Sequence, residues 1–298
     1  MQELHTPVLL DDILDKLVTT TDHPYVDATI GGAGHTYPLL EKYRSLRILG
    51  IDADEEAVAR AARRLEPFKE RVILRRGNFR DLTSILNDAS IAAIGGALFD
   101  LGISMYQMSG ERGFSFQSEG GLDMRMNQDQ ELTAFDVVNR YSFDRLKEIL
   151  EAYGEEPKAG RLAHAIIEAR KRRPINTARE LAAVVETVAR RRGRLHPATQ
   201  TFQAVRMEVN RELESLRAGL DAAAEALIPG GRIAAISFHS LEDRIVKETF
   251  RYSPLLTVLT KKPIRPGREE VLRNRRARSA KLRLAERKGE THDELQVA

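Results

Sequence analysis

The chain has 298 residues, 42% hydrophobic and 31% charged, the composition of a globular protein built as one large or two smaller domains. It contains no cysteine, which excludes disulfides, thiolate metal sites and cysteine catalysis, and no run approaches the roughly 20 apolar residues of a membrane span. Its net charge is only +3, so any large basic patch must arise from uneven placement rather than from overall excess.

The predicted elements alternate at first. The opening residues Met1–Pro7 lack the basic and apolar regions of a signal peptide, and a cytoplasmic protein is expected. Strand one spans Tyr25–Ile30 and runs into Gly31-Gly32-Ala33-Gly34-His35, after which a helix starts. Strand two, Arg47–Asp52, ends on a carboxylate 18 residues beyond Gly34. Asp54-Glu55-Glu56 supplies an N-cap and an acidic first turn to a helix that Pro67 ends. Strand three, Arg71–Leu74, closes on Gly77-Asn78-Phe79, and strand four is Ile94–Asp100. Strands alternating with helices imply parallel βαβ units in an open, doubly wound α/β sheet of Rossmann type. Ligands of such sheets sit outside the carboxyl ends of the strands, where Asp27, Asp52, Phe79 and Asp100 all fall.

The glycine turn narrows the ligand. Glycines allow positive φ and close approach of the backbone, and an acid at the end of the next strand can accept both hydroxyls of a ribose. The third glycine of the dinucleotide fingerprint is missing, because Tyr37 stands three positions after Gly34. That favours a nucleoside ligand without phosphates, such as S-adenosylmethionine, over a nicotinamide cofactor. Another nucleotide binder and a plain tight turn remain as readings of this motif taken alone.

From about Ser104 the alternation gives way to helical patterns at Phe143–Tyr153, Gly160–Lys171 and Thr177–Arg191, the last opened by a capping box of Thr177 and Glu180. One long helix is predicted over Thr201–Leu227, with Val205, Val209, Leu213, Leu216, Leu220 and Leu227 on one face. Pro229-Gly230-Gly231 reads as a type II turn before strand five, Arg232–Phe238. A helix then starts near Ser240, capped there toward Asp243, and Leu255–Thr260 with Ala280–Ala285 form a final antiparallel pair. The chain thus divides into a discontinuous sheet domain, 1–104 with 208–298, and a helical insertion, 105–207. Basic residues gather at Arg170–Arg173, Arg190–Arg194 and Arg273–Arg283, a directional field suited to nucleic acid. The histidines are scattered without metal-ligand spacing, so no catalytic metal is expected.

Several stretches have no general structural reason to occur together. They include His5-Thr6-Pro7-Val8-Leu9-Leu10, Asp100-Leu101-Gly102-Ile103-Ser104, Arg112-Gly113-Phe114-Ser115-Phe116, Leu122-Asp123-Met124-Arg125-Met126 and Tyr153-Gly154-Glu155-Glu156. His196-Pro197-Ala198-Thr199, Thr201–Arg206, Ser237–Lys247 and Ala277-Arg278-Ser279 complete the set. With these the chain resembles the bacterial small-subunit rRNA cytosine-N4 methyltransferases, the RsmH (formerly MraW) family. The resemblance implies a class I fold and transfer of a methyl group from S-adenosylmethionine to the N4 of one cytosine in the decoding region of 16S rRNA. Carried over by motif, Ala33, Gly34, His35, Asp52, Phe79, Asp100 and Gln107 hold the cofactor, with Asp52 on the ribose and Phe79 against the adenine. The partner is the 16S rRNA or the small subunit, recognised through the helical insertion. Ala33 stands where many members have glycine, which stiffens the turn. The usual Asp-Pro-Pro-Tyr-like loop of amino-methyltransferases is altered here, so the proton acceptor is open between Asp100, backbone carbonyls and His239. The rival reading is a ribosome-assembly factor with a vestigial pocket.

Overall fold

In the computed structural model, residues 7–189 and 196–289 are described. They form two compact units: the chain up to Gly102 together with the chain from Leu213 onward, and Ile103–Glu212.

The first unit begins with α1 (Leu10–Lys16) and then alternates β1 (Tyr25–Asp27), α2 (Thr36–Lys42), β2 (Ile48–Asp52), α3 (Glu55–Arg64), β3 (Val72–Arg76), α4 (Leu82–Asp88) and β4 (Ile94–Asp100). In the second unit lie α5 (Met105–Ser109), α6 (Ala134–Arg140), α7 (Phe143–Ala152), α8 (Ala159–Arg172), α9 (Ala178–Val188) and α10 (Thr199–Asn210). The chain then continues through α11 (Glu212–Ala226), β5 (Leu227–Ser237), α12 (Ser240–Tyr252), β6 (Leu256–Val258), α13 (Arg268–Arg273) and β7 (Lys281–Arg287).

The sheet order is β3-β2-β1-β4-β5-β7-β6, parallel from β3 to β5 and antiparallel at β7 and β6. This is the mostly parallel, Rossmann-like sheet expected of a class I methyltransferase. The apolar runs of β2 and β4 are buried along almost their whole length, as strands covered on both faces must be. The edge strand β3 ends in Arg75 and Arg76, charges that discourage pairing with another chain. Asp54 caps α3 by accepting the Glu56 N–H at 3.1 Å.

Two expectations need correction. The helix predicted over Thr201–Leu227 is two helices, because Arg211 adopts a left-handed conformation (φ 48°, ψ 45°). The Asn210 side chain accepts the Met126 N–H and donates to the Met124 and Arg206 carbonyls, each at 2.8 Å. Those bonds reward a stop at Asn210 that the apolar periodicity, continuous across it, does not reveal. The Pro229–Gly231 turn exists, but inside β5. Leu227 pairs with Ile94 and Arg232 with Gly96, so the intervening residues bulge out, with Gly230 at φ 76°.

The second unit packs its helices around Leu146, Ile149, Leu162, Ile166, Leu181 and Phe202. Thr177 and Glu180 form the expected capping box. Gln200 and Gln203 of α10 donate to the Glu155 and Tyr153 carbonyls at 3.0 and 2.9 Å, seating the Tyr153-Gly154-Glu155-Glu156 turn. Gly154 is required there: a Cβ would stand 2.7 Å from the Leu150 carbonyl oxygen.

The ring of Tyr25, fully buried, occupies a slot over Gly95 and Gly96. A Cβ at residue 96 would meet the ring at 2.5 Å and the Arg232 carbonyl at 2.9 Å, with backbone unable to retreat. Gly96→Ala is expected to lower stability by about 1–3 kcal/mol through overpacking, read as a reduced urea midpoint at unchanged slope.

A candidate cofactor crevice on the carboxyl rim of the sheet

The rim of the first unit is built where β1, β2 and β4 end. After Asp27 the chain keeps bonding to its neighbours, Ala28 N–H to the Leu98 carbonyl and Ile30 N–H to the Ile51 carbonyl, both at 2.9 Å. It then turns through Gly31 (φ 50°) and Ala33 (φ 58°). Ala33 is fully buried, so its methyl group fills core space at the cost of a left-handed backbone, worth about 1–2 kcal/mol. Gly34 lets the turn lie against Pro7, whose Cγ would be 3.2 Å from a Cβ.

Asp52 ties this turn to β2. Its Oδ2 accepts the Gly31 N–H and its Oδ1 the Asp54 N–H, each at 2.9 Å. Each oxygen keeps one lone pair for a further donor. Burial nevertheless dominates, and the carboxyl is pushed up to about 6. Asp27 is likewise raised to about 6 by burial, opposed chiefly by the Thr36 hydroxyl that it accepts at 2.7 Å.

Asp100 closes the rim. Its N–H donates to the Thr29 hydroxyl at 2.7 Å, and its Oδ2 lies 3.5 Å from His35 Nδ1. Its Oδ1 is buried and has no hydrogen-bond partner among the described residues. Burial lifts this carboxyl to about 7; Arg276 opposes the rise and Glu242 adds to it. His35 is itself buried, which lowers its pKa, and its Nε2 lies 2.9 Å from the Val8 carbonyl oxygen. Phe79, at the turn after β3, stands edge-on to Phe99 with centroids 5.6 Å apart. Gly219 of α11 makes that possible, since a Cβ there would be 2.7 Å from the Phe79 ring. Sequence reading missed Gly219, and its only signal is a glycine inside an otherwise good helix.

The structure thus brings Ala33, Gly34, His35, Asp52, Phe79 and Asp100 to one rim of the first unit. Gln107 belongs to the second unit, where it is buried and its Oε1 accepts the Ser104 N–H at 2.9 Å in the capping box of α5. His239 is the N-cap of α12, displacing Ser240 from that expected role. Its Nδ1 is 3.4 Å from the Glu242 N–H and its Nε2 3.0 Å from Glu242 Oε1. Both ring nitrogens therefore face the first turn of its own helix. Glu242, absent from the expected site, also accepts the Phe238 N–H at 2.8 Å. The signal was a glutamate three residues after the cap. Asp243, predicted as the partner of a Ser240 cap, instead binds Lys281 at 2.9 Å and Arg283 at 2.7 Å across to β7.

The basic clusters are less free than their sequence suggests. Arg170 donates to the Val138 and Tyr141 carbonyls at 2.7 and 2.6 Å, while Lys171 pairs with Glu168 and Arg173 with Glu180. Arg190–Arg194 lies outside the described residues. Among the described residues, no helix is long and apolar enough to cross a membrane.

Comparison with known proteins gives a consistent picture. The family model described as the MraW methylase family matches residues 2–288. A protein of Persephonella marina named ribosomal RNA small subunit methyltransferase H is 50% identical over 289 residues, covering 95% of this chain and 99% of that relative. Proteins of the same name from a Sulfurihydrogenibium species and from Carboxydothermus hydrogenoformans are 46% and 44% identical, over 95% and 96% of this chain and 99% of each relative. A match along nearly its whole length, on a sheet of this order, makes the chain a member of the MraW methylase family.

Proposed function

We propose that this protein methylates the exocyclic N4 of a cytosine in the decoding region of small-subunit rRNA. It is an S-adenosylmethionine-dependent rRNA methyltransferase, and we place it in the cytoplasm, where that RNA is assembled. The observation that carries the reading is the match to a methylase family along almost the whole chain, together with a carboxylate oxygen of Asp100 that is buried at the rim and has no partner among the described residues.

The residues suit the cofactor. Asp52 retains lone pairs for ribose hydroxyls, the left-handed turn at Gly31–Ala33 offers close backbone approach, and Phe79 presents an apolar ring for an adenine. Ala33, Gly34, His35, Asp52, Phe79 and Asp100 would hold it; Gln107, which the family resemblance adds to the set, belongs to the second unit. When bound, S-adenosylmethionine supplies an already activated methyl group on a positively charged sulfur.

What the chain must add is placement and proton transfer. Cytosine N4 is a poor nucleophile because its lone pair is delocalised into the ring, so an acceptor on its hydrogens draws charge into the forming bond. Asp100 has the position and the basicity for that role, being held near neutrality by burial. His239 acts from a distance, fixing the loop after β5 through its cap on α12 rather than lending a ring nitrogen. The target cytosine must leave its stack to reach the rim. The helical unit and the arginines of Arg276–Arg278 supply phosphate contacts. An assembly factor with an idle pocket would have no use for three desolvated carboxyls on one rim.

Transfer of labelled methyl to small-subunit rRNA, located by mass spectrometry of nuclease digests, is expected on a single cytosine. Methyl on a ring carbon or a ribose would refute the N4 reading. Asp52→Ala is expected to weaken cofactor binding by about 1.5–3 kcal/mol, seen by calorimetry, because charge-assisted hydrogen bonds are lost. An unchanged dissociation constant would remove Asp52 from the ribose. The pH dependence has a definite sign. Asp100 is raised to about 7, so its negative charge is present above that pH and is lost below it. Affinity for the positively charged donor is therefore expected to fall as pH drops from 8 to 6, by up to about tenfold per unit below the midpoint. The neutral thioether product is expected to show little of this trend, and Asp100→Asn to abolish it.

A further inference from the structure

His35 is oriented by a single peptide unit. A carbonyl oxygen can only accept, so the 2.9 Å contact to Val8 places the imidazole proton on Nε2 and leaves Nδ1 as a lone pair. That lone pair faces Asp100 Oδ2 at 3.5 Å, a distance typical of a site that tightens on binding. Two acceptors facing each other repel unless one proton lies between them. The other side of the same peptide is also engaged: the Leu9 N–H donates to Glu270 Oε1 at 2.7 Å. Leu9 is held left-handed at φ 55°, and Val8, Leu9 and His35 are all buried. A backbone strained into this form and clamped at both its N–H and its C=O is over-determined, as functional geometry requires.

We infer that His35 and Asp100 form one site for a single shared proton, poised by Glu270 through the Val8–Leu9 peptide, and that the pair, vacant above its midpoint, receives the proton shed by the substrate amine. Glu270 pulls on the N–H, the peptide polarises, and the Val8 oxygen becomes a stronger acceptor for Nε2–H. Nδ1 becomes more basic in turn. The last clause rests on the methyl-transfer reading above. As the nitrogen–methyl bond forms, sulfur keeps the electrons of the bond it loses, and one proton leaves N4 for Asp100. Shared with Nδ1, that proton leaves no isolated charge in the crevice. His35 and Glu270 are positioning residues, since they act through Asp100.

The charged groups around the pair are Asp27 and Glu270 on the His35 side, and Asp27, Arg276 and Glu242 on the Asp100 side. Asp27 and Glu270 favour a protonated imidazole, Arg276 favours an ionised Asp100, and Glu242 and Asp27 oppose that ionisation. Burial works against both charges, lowering His35 and raising Asp100, which brings the two groups toward a common range.

The test is a titration of the full-length protein carrying 15N-histidine and 13C-carboxyl aspartate, followed by NMR without cofactor. His35 is expected to keep its proton on Nε2 throughout, and its Nδ1 is expected to titrate with the Asp100 carboxyl at one common midpoint. Asp100→Asn should move the His35 midpoint down by about one unit or more. Glu270→Gln keeps the hydrogen-bond acceptor but removes the charge. It should lower the shared midpoint by about half a unit, where a merely structural Glu270 would leave it in place. A neutral His35 above the midpoint with its proton on Nδ1 instead of Nε2, or a His35 midpoint unmoved in both variants, would overturn the shared proton. The acid limb of the rRNA methylation profile should move with the Glu270→Gln midpoint. A midpoint that moves while that limb stays put would sever the pair from the amine proton. Absence of methyl transfer in the wild type would instead strike the functional reading, and the resonances would still report on the pair.

Discussion

Desolvation of carboxyl groups at strand ends is the constraint around which the first unit is organised. Asp27, Asp52 and Asp100 each sit where a parallel strand stops; burial outweighs the hydrogen bonds that favour the charged form of the first two and the Arg276 charge that favours that of the third. The fold tolerates this because two of the three are tied to backbone N–H groups that hold the crossover in shape. Asp100 is the exception, with one oxygen bare and the other facing an imidazole. Polar groups left incomplete inside a protein mark places where a ligand or a proton completes them.

The surrounding architecture serves to keep that rim fixed. Glycines 95 and 96 make room for the Tyr25 ring, and Gly219 lets α11 pass close to Phe79. On the far side, Glu242 and the Asp243 ion pairs lock the start of α12 to its loop and to β7. Apart from the local Glu242 bonds these contacts join positions distant in sequence, and all of them act on backbone position rather than on a ligand.

Much of this was legible in the residues, for particular reasons. β4 was read with its true limits because an apolar run bounded by an acid has little freedom of register, and the Thr177–Glu180 box is a strictly local signal. The break at Arg211 was not legible, because it depends on Asn210 reaching a loop more than 80 residues earlier in the chain. Arg170 looked like a phosphate ligand only until its guanidinium was seen on two helix-end carbonyls. The short helices α1, α4, α5 and α6 were passed over, being five to seven residues long and too brief for a periodic pattern. In the candidate site, the types of residue were evident from motif, and Glu242 had a local signal in its spacing from the cap, whereas the role of Glu270 emerges only from its partner Leu9, at the other end of the chain.

The interrupted order of the sheet bears on how the protein is made. β4 is complete at Asp100, yet its neighbour β5 starts only at Leu227, so 126 residues (101–226) must be synthesised in between. At about 5–20 residues per second, the hydrogen-bonding edge of β4 stays open on the nascent chain for roughly 6–25 s. Its sequence, Ile94-Gly95-Gly96-Ala97-Leu98-Phe99-Asp100, is apolar and offers no charge until its last position. That window is the interval of greatest hazard from strand-to-strand aggregation, and it makes translation speed through the helical segment a determinant of yield.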